Sequence, residues 1–406
     1  MRHSARLFLL VGVVMGAVVS VQTASAAGFG LYEGSARANA QGGAVVARAD
    51  DPSAIYYNPA GITQLSGLQI MAGATMIGPK TELTTMTPMG NVTTESEDNW
   101  WIPPHLYATY QLQDNIWLGF GMYSRFGLGT EFDEDWPGRY NSYNAVIKSL
   151  HFNPNIAVKA TDKLSLAAGV SAVWFDLKLQ RKLPYSETQD LDMTLEGDSI
   201  GYGFNLALRY EVLDWMALGA SYQSRVKETV DGDVDIQIGS TGAEGDVELP
   251  DMLMLGVAFE PMEKLSLEVG AVYTGWSSYD ELAVDFSNPM LLGPSAVSTK
   301  NWENTWRYCM GAEYELSDKL ALRAGYVYDE EPSPNETVDY LVPANDRQIL
   351  SIGAGYKIGD WTIDASYSYL MIADRHIHMR LEDGVLDTET GNGDAHMIGL
   401  SVSTKI

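Results

Sequence analysis

The 406-residue sequence contains one cysteine, Cys309, so no disulfide can form within the chain and stability has to come from hydrogen bonds and packing. Basic residues are scarce: 26 Lys and Arg stand against 53 Asp and Glu, a formal charge of −27. A balance this acidic argues against nucleic acid and anionic membrane surfaces as partners. Beyond residue 26 there is no run of about 18 apolar residues, which excludes a helical membrane span in that region. Nucleotide-binding loops, a strand-turn-helix serine elbow and paired metal motifs are also missing, so no cofactor is expected.

What is present begins with export. Arg2 and Arg6 precede an apolar run from Leu7 to Val21 and then Ala24-Ser25-Ala26. That order predicts a signal peptide over 1–26, cleaved after Ala26. Cleavage removes two arginines and no acid, taking the charge to −29. The chain also carries 22 tyrosines, 10 tryptophans and 39 glycines. In an exported chain of modest hydropathy, this composition admits a transmembrane β-barrel, whose alternating strands dilute the apolar signal and whose interfaces are ringed by aromatics.

Alternation supports that reading. Leu320, Leu322, Ala324, Tyr326 and Tyr328 share one face, opposite Ala321, Arg323, Gly325, Val327 and Asp329. The same period of two runs through 265–274 and 361–369. A short polar turn feeds each of three such runs, at Asp162-Lys163, Glu263-Lys264 and Asp318-Lys319. Six short turns alternate with seven longer polar stretches near 79–104, 128–143, 184–198, 231–247, 282–300, 331–345 and 380–393. Thirteen connections predict an all-β antiparallel barrel of about 14 strands over 67–406, with short turns at one end and long loops at the other. Residues 27–66, rich in Gly, Ala, Ser and Asn, lack any alternating run long enough to cross a membrane. They are expected to form a compact hatch that plugs the barrel.

Two ordered blocks carry a resemblance. The first is Gly28-Phe29, Gly42-Gly43-Ala44 and Asp50-Asp51-Pro52-Ser53-Ala54-Ile55-Tyr56-Tyr57-Asn58-Pro59-Ala60-Gly61. The second is Phe126-Gly127-Leu128-Gly129-Thr130-Glu131, Trp136-Pro137-Gly138-Arg139-Tyr140 and Asn153-Pro154-Asn155-Ile156-Ala157-Val158. Together they resemble the outer-membrane long-chain fatty-acid transporter family, whose relatives include importers of aromatic hydrocarbons. The resemblance implies a hatch inside a fourteen-stranded barrel, an interior ligand site reached by the mature N-terminus, and a kinked third strand opening sideways to the membrane. The gating residues it assigns are Ala27, Gly28 and Phe29, with Asn58, Pro59 and Ala60 as the hatch corner. Proline fixes φ and asparagine bonds its own backbone, so the tripeptide makes a rigid turn. The third strand, Ile116 to Phe126, would turn Trp117, Gly119, Gly121 and Tyr123 inward, and its glycines permit a bend or a close approach.

Two external loops, about 179–199 and 231–247, would make the family's apolar landing groove. Leu183, Tyr185, Leu191, Met193 and Leu195 form one wall; Val234, Ile236 and Ile238 form the other. The alternation can also be that of strands extending beyond the membrane, and acids crowd both loops and would repel a carboxylate. Candidate partners for an acidic head group are Arg139, Arg307 and Arg323; a structural ion pair explains each equally well. His376 and His378 share a strand face near Asp374 and His396. They are read as exposed polar residues and not as a metal or acid-base site. The run Asp231-Gly232-Asp233-Val234-Asp235 lacks the glycine and terminal glutamate of a calcium loop.

The expectation is therefore a passive outer-membrane channel, not an enzyme, most simply for long-chain fatty acids, with monoaromatic hydrocarbons as the alternative. Its expected partners are hydrophobic small molecules and outer-membrane lipid and lipopolysaccharide, with the chain acting as a monomer. An outer-membrane hydrolase, a polar-solute porin and an adhesin are the readings of other classes. The non-aromatic terminus, Ile406, leaves the assembly signal atypical.

Overall fold

The computed structural model describes residues 28–406; the expected signal peptide and Ala27 lie outside the described residues. Fourteen staves close into one antiparallel barrel. In chain order they are β1 Leu68–Thr87, β2 Pro104–Gln113, β3 Ile116–Tyr123 continued by Gly127–Glu131, β4 Asn144–Lys159, β5 Leu164–Ser186, β6 Gln189–Leu213 and β7 Met216–Gln223 continued by Val226–Ile236. There follow β8 Gly239–Leu249 with Met252–Met262, β9 Leu265–Thr274, β10 Thr305–Glu315, β11 Leu320–Asp329, β12 Arg347–Ile358, β13 Trp361–Ile372 and β14 Thr388–Lys405. β14 pairs with β1 from Lys405 opposite Gln69 to Thr388 opposite Thr85, which closes the ring.

The period of two acts as anticipated. Along β6, Ile200, Tyr202, Phe204, Leu206 and Leu208 point out and are exposed, whereas Asn205, Ala207 and Arg209 point in and are buried. Such a band of exposed large apolar side chains is costly in water and suits lipid. Tyr110, Tyr210, Trp215, Tyr314, Tyr356 and Trp361 are exposed beside the short turns, where their rings make an interfacial girdle.

The six short turns all fall where the polar dipeptides place them. The long-loop end holds more strand than the polar stretches suggest: Gly90–Glu95 pairs back on β1, and Glu281–Phe286 pairs with Ser295–Thr299. Residues 184–198 and 231–247 are mostly strand: Ser186 pairs with Gln189, and Ile236 with Gly239, so each connection is a hairpin tip of two residues. Along 226–236 buried and exposed residues alternate, with Val230, Val234 and Ile236 on the covered face, so the period of two continues through these segments.

Residues 28–67 fill the barrel's interior before β1 begins. They carry two single-turn helices, α1 Ala36–Asn39 and α2 Ala54–Tyr57, and a 3-10 turn Pro59–Gln64. Inward glycines on the staves make room for this hatch. A Cβ on Gly219 would meet the carbonyl of Val46, one on Gly325 the backbone of Gln41 and Gly42, and one on Gly353 the side chain of Ala40. Ile55, Tyr56, Tyr57 and Ile62 are fully or almost fully buried. Each large apolar group contributes about 1.5–3 kcal/mol to docking.

Candidate functional site: a plugged barrel with a window in its wall

The hatch corner is built by Asn58. Its Oδ1 accepts from Ala60 N (3.2 Å), capping the 3-10 turn, and its Nδ2 donates to Val46 O (2.7 Å) and to Leu208 O on β6 (2.9 Å). Pro59 occupies the first position of that turn, where the missing N–H costs nothing. One side chain therefore shapes the turn and fastens it to the wall.

Charge fastens the opposite side. Glu313 on β10 contacts Arg37 (3.0 Å) and Arg48 (2.9 Å) of the hatch and Arg323 of β11. Arg37 also pairs with Asp50 (2.9 Å) and Asp51 (3.3 Å), and Arg323 with Asp364 (2.7 Å). Glu268 on β9 accepts from Ala47 N (2.8 Å) and Arg48 N (2.9 Å). In a water-poor interior these paired charges hold position and register.

Trp117, Gly119, Gly121 and Tyr123 point inward on β3, buried against the hatch, while Leu118 and Phe120 are exposed on the outer face. β3 then breaks. Tyr123 faces His151 on β4 and Gly127 faces Lys148, so three residues on β3 oppose two on β4. The extra residue makes a bulge, which re-aims side chains and ends pairing. Arg125, at the break, turns inward to stack 4.0 Å from the Tyr56 ring and bond Tyr56 O. Ser149 takes over the lost ladder, accepting from Phe126 N (3.0 Å) and donating to Phe126 O (2.7 Å).

On its other edge β3 loses β2 at the same point, since their pairing ends at Tyr123 and His105. The hatch supplies substitute bonds: Leu31 N donates to Arg125 O (2.7 Å) and Gly127 N to Phe29 O (2.9 Å). Residues 101–103 stay with β1, through Ile77 N to Trp101 O (2.8 Å) and Thr75 N to Pro103 O (3.2 Å). Backbone hydrogen bonding resumes only where Glu97 N reaches Glu131 O (2.8 Å), the Trp101 ring packing on Gly129 between. Between these limits the wall has a window.

A cavity of ≈ 500 Å³ fills it. It runs from Gly28, Gly30 and Leu31, past Trp101, Pro103 and Gly127, to Leu150 and to Trp174, which is exposed on the outer face. Val342, Pro343 and Ala344 form its roof. Most of the lining is apolar, yet two buried donors on it, Arg347 Nε and Trp101 Nε1, have no hydrogen-bond partner. The roof loop, 330–346, is held by Arg375, which donates to Ser333 O (2.6 Å), Ala344 O (3.1 Å) and Asn335 Oδ1 (3.0 Å). Beneath it Glu331 is buried against Ser333, and burial pushes its carboxyl up to about 7.

Gly28 and Phe29 lie at the cavity's inner end. Phe29 is caged by Trp276, Tyr279, Trp302 and Phe126, with ring centroids 4.7, 5.8, 5.6 and 6.0 Å away. Sequence reasoning missed this cage; its signal was Trp276 and Tyr279 lying just past a strand, and Trp302 at the far end of the same polar loop. It also missed Trp101, which belongs to an apolar run, Trp100 to Pro104, closing the polar stretch 79–104.

The three named arginines all face carboxylates. Arg139 pairs with Asp190 (3.1 Å) among the external segments, Arg307 with Asp329 (2.8 Å) while stacking 4.2 Å from Tyr32, and Arg323 with Glu313 and Asp364. None lines the cavity; Arg347 does, with its Nη2 likewise paired to a carboxylate, that of Asp329 (3.1 Å). In the anticipated landing groove Tyr185 and Ile238 are exposed, but the deeper wall residues are covered. Met193, Val234 and Ile236 pack with Ala243, Val284 and Phe286, because an added hairpin, Glu281–Phe286 with Ser295–Thr299, pairs onto β8 and covers them. His376 and His378 do converge, but with Asp387 and not Asp374; His396 lies on β14, hydrogen-bonded to Tyr367 (2.8 Å).

Residues 16–406 match a family described as outer membrane protein transport protein (OMPP1/FadL/TodX). A long-chain fatty acid transport protein of Escherichia coli O6:H1 is 25% identical over 403 residues, 87% of this chain and 89% of the relative. Two crystal structures share the fold. A Pseudomonas aeruginosa FadL homologue has TM-score 0.83 at 20% identity, covering 93% of this chain and 100% of that one. The P. putida toluene transporter TodX has TM-score 0.71 at 19% identity, covering 87% and 94%.

Proposed function

The chain belongs to the OMPP1/FadL/TodX family of outer-membrane channels for hydrophobic compounds, and from that premise we propose that its ligand is an amphiphile with an acceptor head group, a long-chain fatty acid, which leaves sideways through the β3 window. The observation that carries this is the continuity of the ≈ 500 Å³ cavity from Gly28 to the outward-facing Trp174. Its volume lies in the range of about 300–1,000 Å³ usual for small-molecule sites. An apolar tail leaving toward the periplasm would meet water; leaving between β2 and β3 keeps it in contact with lipid.

Two unbonded atoms, Arg347 Nε and Trp101 Nε1, favour a carboxylate although Arg347 Nη2 already pairs with Asp329 (3.1 Å), since a buried donor left unmatched costs about 1–3 kcal/mol and an acceptor on the ligand removes that cost. An aromatic hydrocarbon would use the same walls and leave both donors unmatched. Gly28 and Phe29, with Ala27 before them, act as the gate: their withdrawal uncovers the β3 edge and empties the aromatic cage. Asn58, Pro59 and Ala60 hold the hatch that carries them. The reading includes no catalytic step, and the channel acts as a monomer within outer-membrane lipid and lipopolysaccharide.

Uptake of labelled oleate and labelled toluene tests this, in a host lacking its own transporter, with the intact protein, with residues 27–29 deleted and with Arg347→Gln. Oleate entry that needs both residues 27–29 and Arg347 supports the reading. Toluene entry alone, insensitive to Arg347→Gln, moves the substrate to the aromatic class. Entry of neither above background overturns transport of both.

A further inference from the structure

At the outer end of β14 the chain folds back so that Arg375–Ile377 pairs with it, His376 opposite Glu389 and Ile377 opposite Thr388. Alternation then divides this ribbon into two faces. Arg375, Ile377, Thr388 and Thr390 are buried. The opposite face carries His376, with His378 one residue past the end of its strand, and Glu389, with Asp387 one residue before the start of β14. His376 Nε2 lies 2.8 Å from Asp387 Oδ1, and His376 Nδ1 lies 4.0 Å from Glu389 Oε1. The two imidazole rings are 4.8 Å apart between centroids, and one ligand atom from each of His376, His378 and Asp387 can be chosen so that all lie within 4.8 Å of one another.

We propose that this face is a binding site for a divalent transition metal, Zn²⁺ in the first instance, with His376, His378 and Asp387 as ligands, water as the fourth, and Glu389 on the Nδ1 side of His376 orienting its ring. Tetrahedral zinc with bonds of about 2.0–2.1 Å separates its ligand atoms by about 3.3 Å, so the three named groups need only small side-chain rotations to close on an ion. Two imidazoles with a carboxylate select Zn²⁺, Ni²⁺ or Cu²⁺; Ca²⁺ and Mg²⁺ take oxygen ligands. The side chains of His376 and Asp387 are each 39% exposed, so an ion can reach the site directly from outside the cell. Binding would cross-link the two strands of the ribbon at its solvent face, while the buried face stays packed.

Tag-free full-length protein in detergent, stripped with a chelator, is titrated with Zn²⁺ by calorimetry, alongside His378→Ala and a His376→Ala/His378→Ala double variant. His378→Ala leaves the His376–Asp387 hydrogen bond in place, so a mere hydrogen-bonded pair predicts no change. The expected result is one ion per chain in the parent, affinity weakened about tenfold or more in His378→Ala, and no binding in the double variant. Cu²⁺ spin resonance should show two coordinated nitrogens in the parent and one in His378→Ala. A heat-dependent mobility shift on gels confirms that each barrel is assembled. No stoichiometric binding by the parent, or equal binding by the double variant, overturns the proposal.

Discussion

Ile55 of the hatch occupies the space that a side chain on Gly119 would need, with its terminal methyl against the inner wall of β3. The pair joins the plug to the stave that breaks a few residues later.

That contact makes a coupled prediction. Gly119→Ala overfills the space and should cost about 1–3 kcal/mol of hatch docking, and Ile55→Ala alone should cost about 2–5 kcal/mol. The double variant should recover part of the loss, with a coupling of about 0.5–3 kcal/mol. Amide hydrogen exchange across residues 54–64 reads each value; strictly additive losses would show that the two residues do not share the space.

A second prediction concerns the charged hub. Glu313→Gln leaves Arg37, Arg48 and Arg323 facing a neutral amide, and breaking buried ion pairs costs about 3–5 kcal/mol. Arg37 keeps Asp50 and Asp51, Arg48 keeps Asp50, and Arg323 keeps Asp364, so the loss belongs at the lower end of that range. In planar bilayers the variant should conduct ions more often than the parent because the hatch loosens, while the barrel still assembles. Unchanged conductance would place the hatch's hold elsewhere, at Asn58 and Glu268.

These relationships mark what could be read from the chain alone. The alternation of β11 and the inward set of β3 were visible because lipid on one side and a packed lumen on the other enforce a period of two. In 184–198 and 231–247 the alternation of Leu191 with Met193 and of Val234 with Ile236 was visible too, but not what covers that face, because the hairpin that packs on it comes from 281–299. An opening at the third strand was implied by the family resemblance alone; the residues could not place it, because it depends on a one-residue mismatch between Ser124–Phe126 and Ser149–Leu150, a property of two strands and not of either. Likewise the convergence of His378 with Asp387 exists only because 379–386 turns the chain back on itself, so Asp374, nearer in sequence, looked the better partner.

The mismatch itself can be removed. Deleting Ser124 equalises the two strands, allows continuous pairing from Tyr123 to Gly127, and should narrow the window. Oleate uptake is expected to fall to background while the heat-dependent gel shift persists. Retained uptake in an assembled barrel would show that ligand leaves by another route.

The roof loop gives the last prediction, a dependence on pH. Burial raises the Glu331 carboxyl to about 7 from an unfolded value of about 4.5, with Ser333, Arg375 and Arg347 opposing that rise only in part. A group whose folded value lies above its unfolded value contributes stability that is complete below the unfolded value and lost as pH rises through the folded one. The closed roof over Val342, Pro343 and Ala344 should therefore be firmest near pH 4.5 and loosen by pH 7 and above. Amide exchange over 333–344, corrected for the intrinsic effect of pH, should show protection falling across that interval. Glu331→Gln keeps the shape without the ionisation, so its protection should stay level. A fall of equal size in the variant would assign the effect to another group in the loop, and constant protection in the parent would mean that Glu331 ionises without moving the roof.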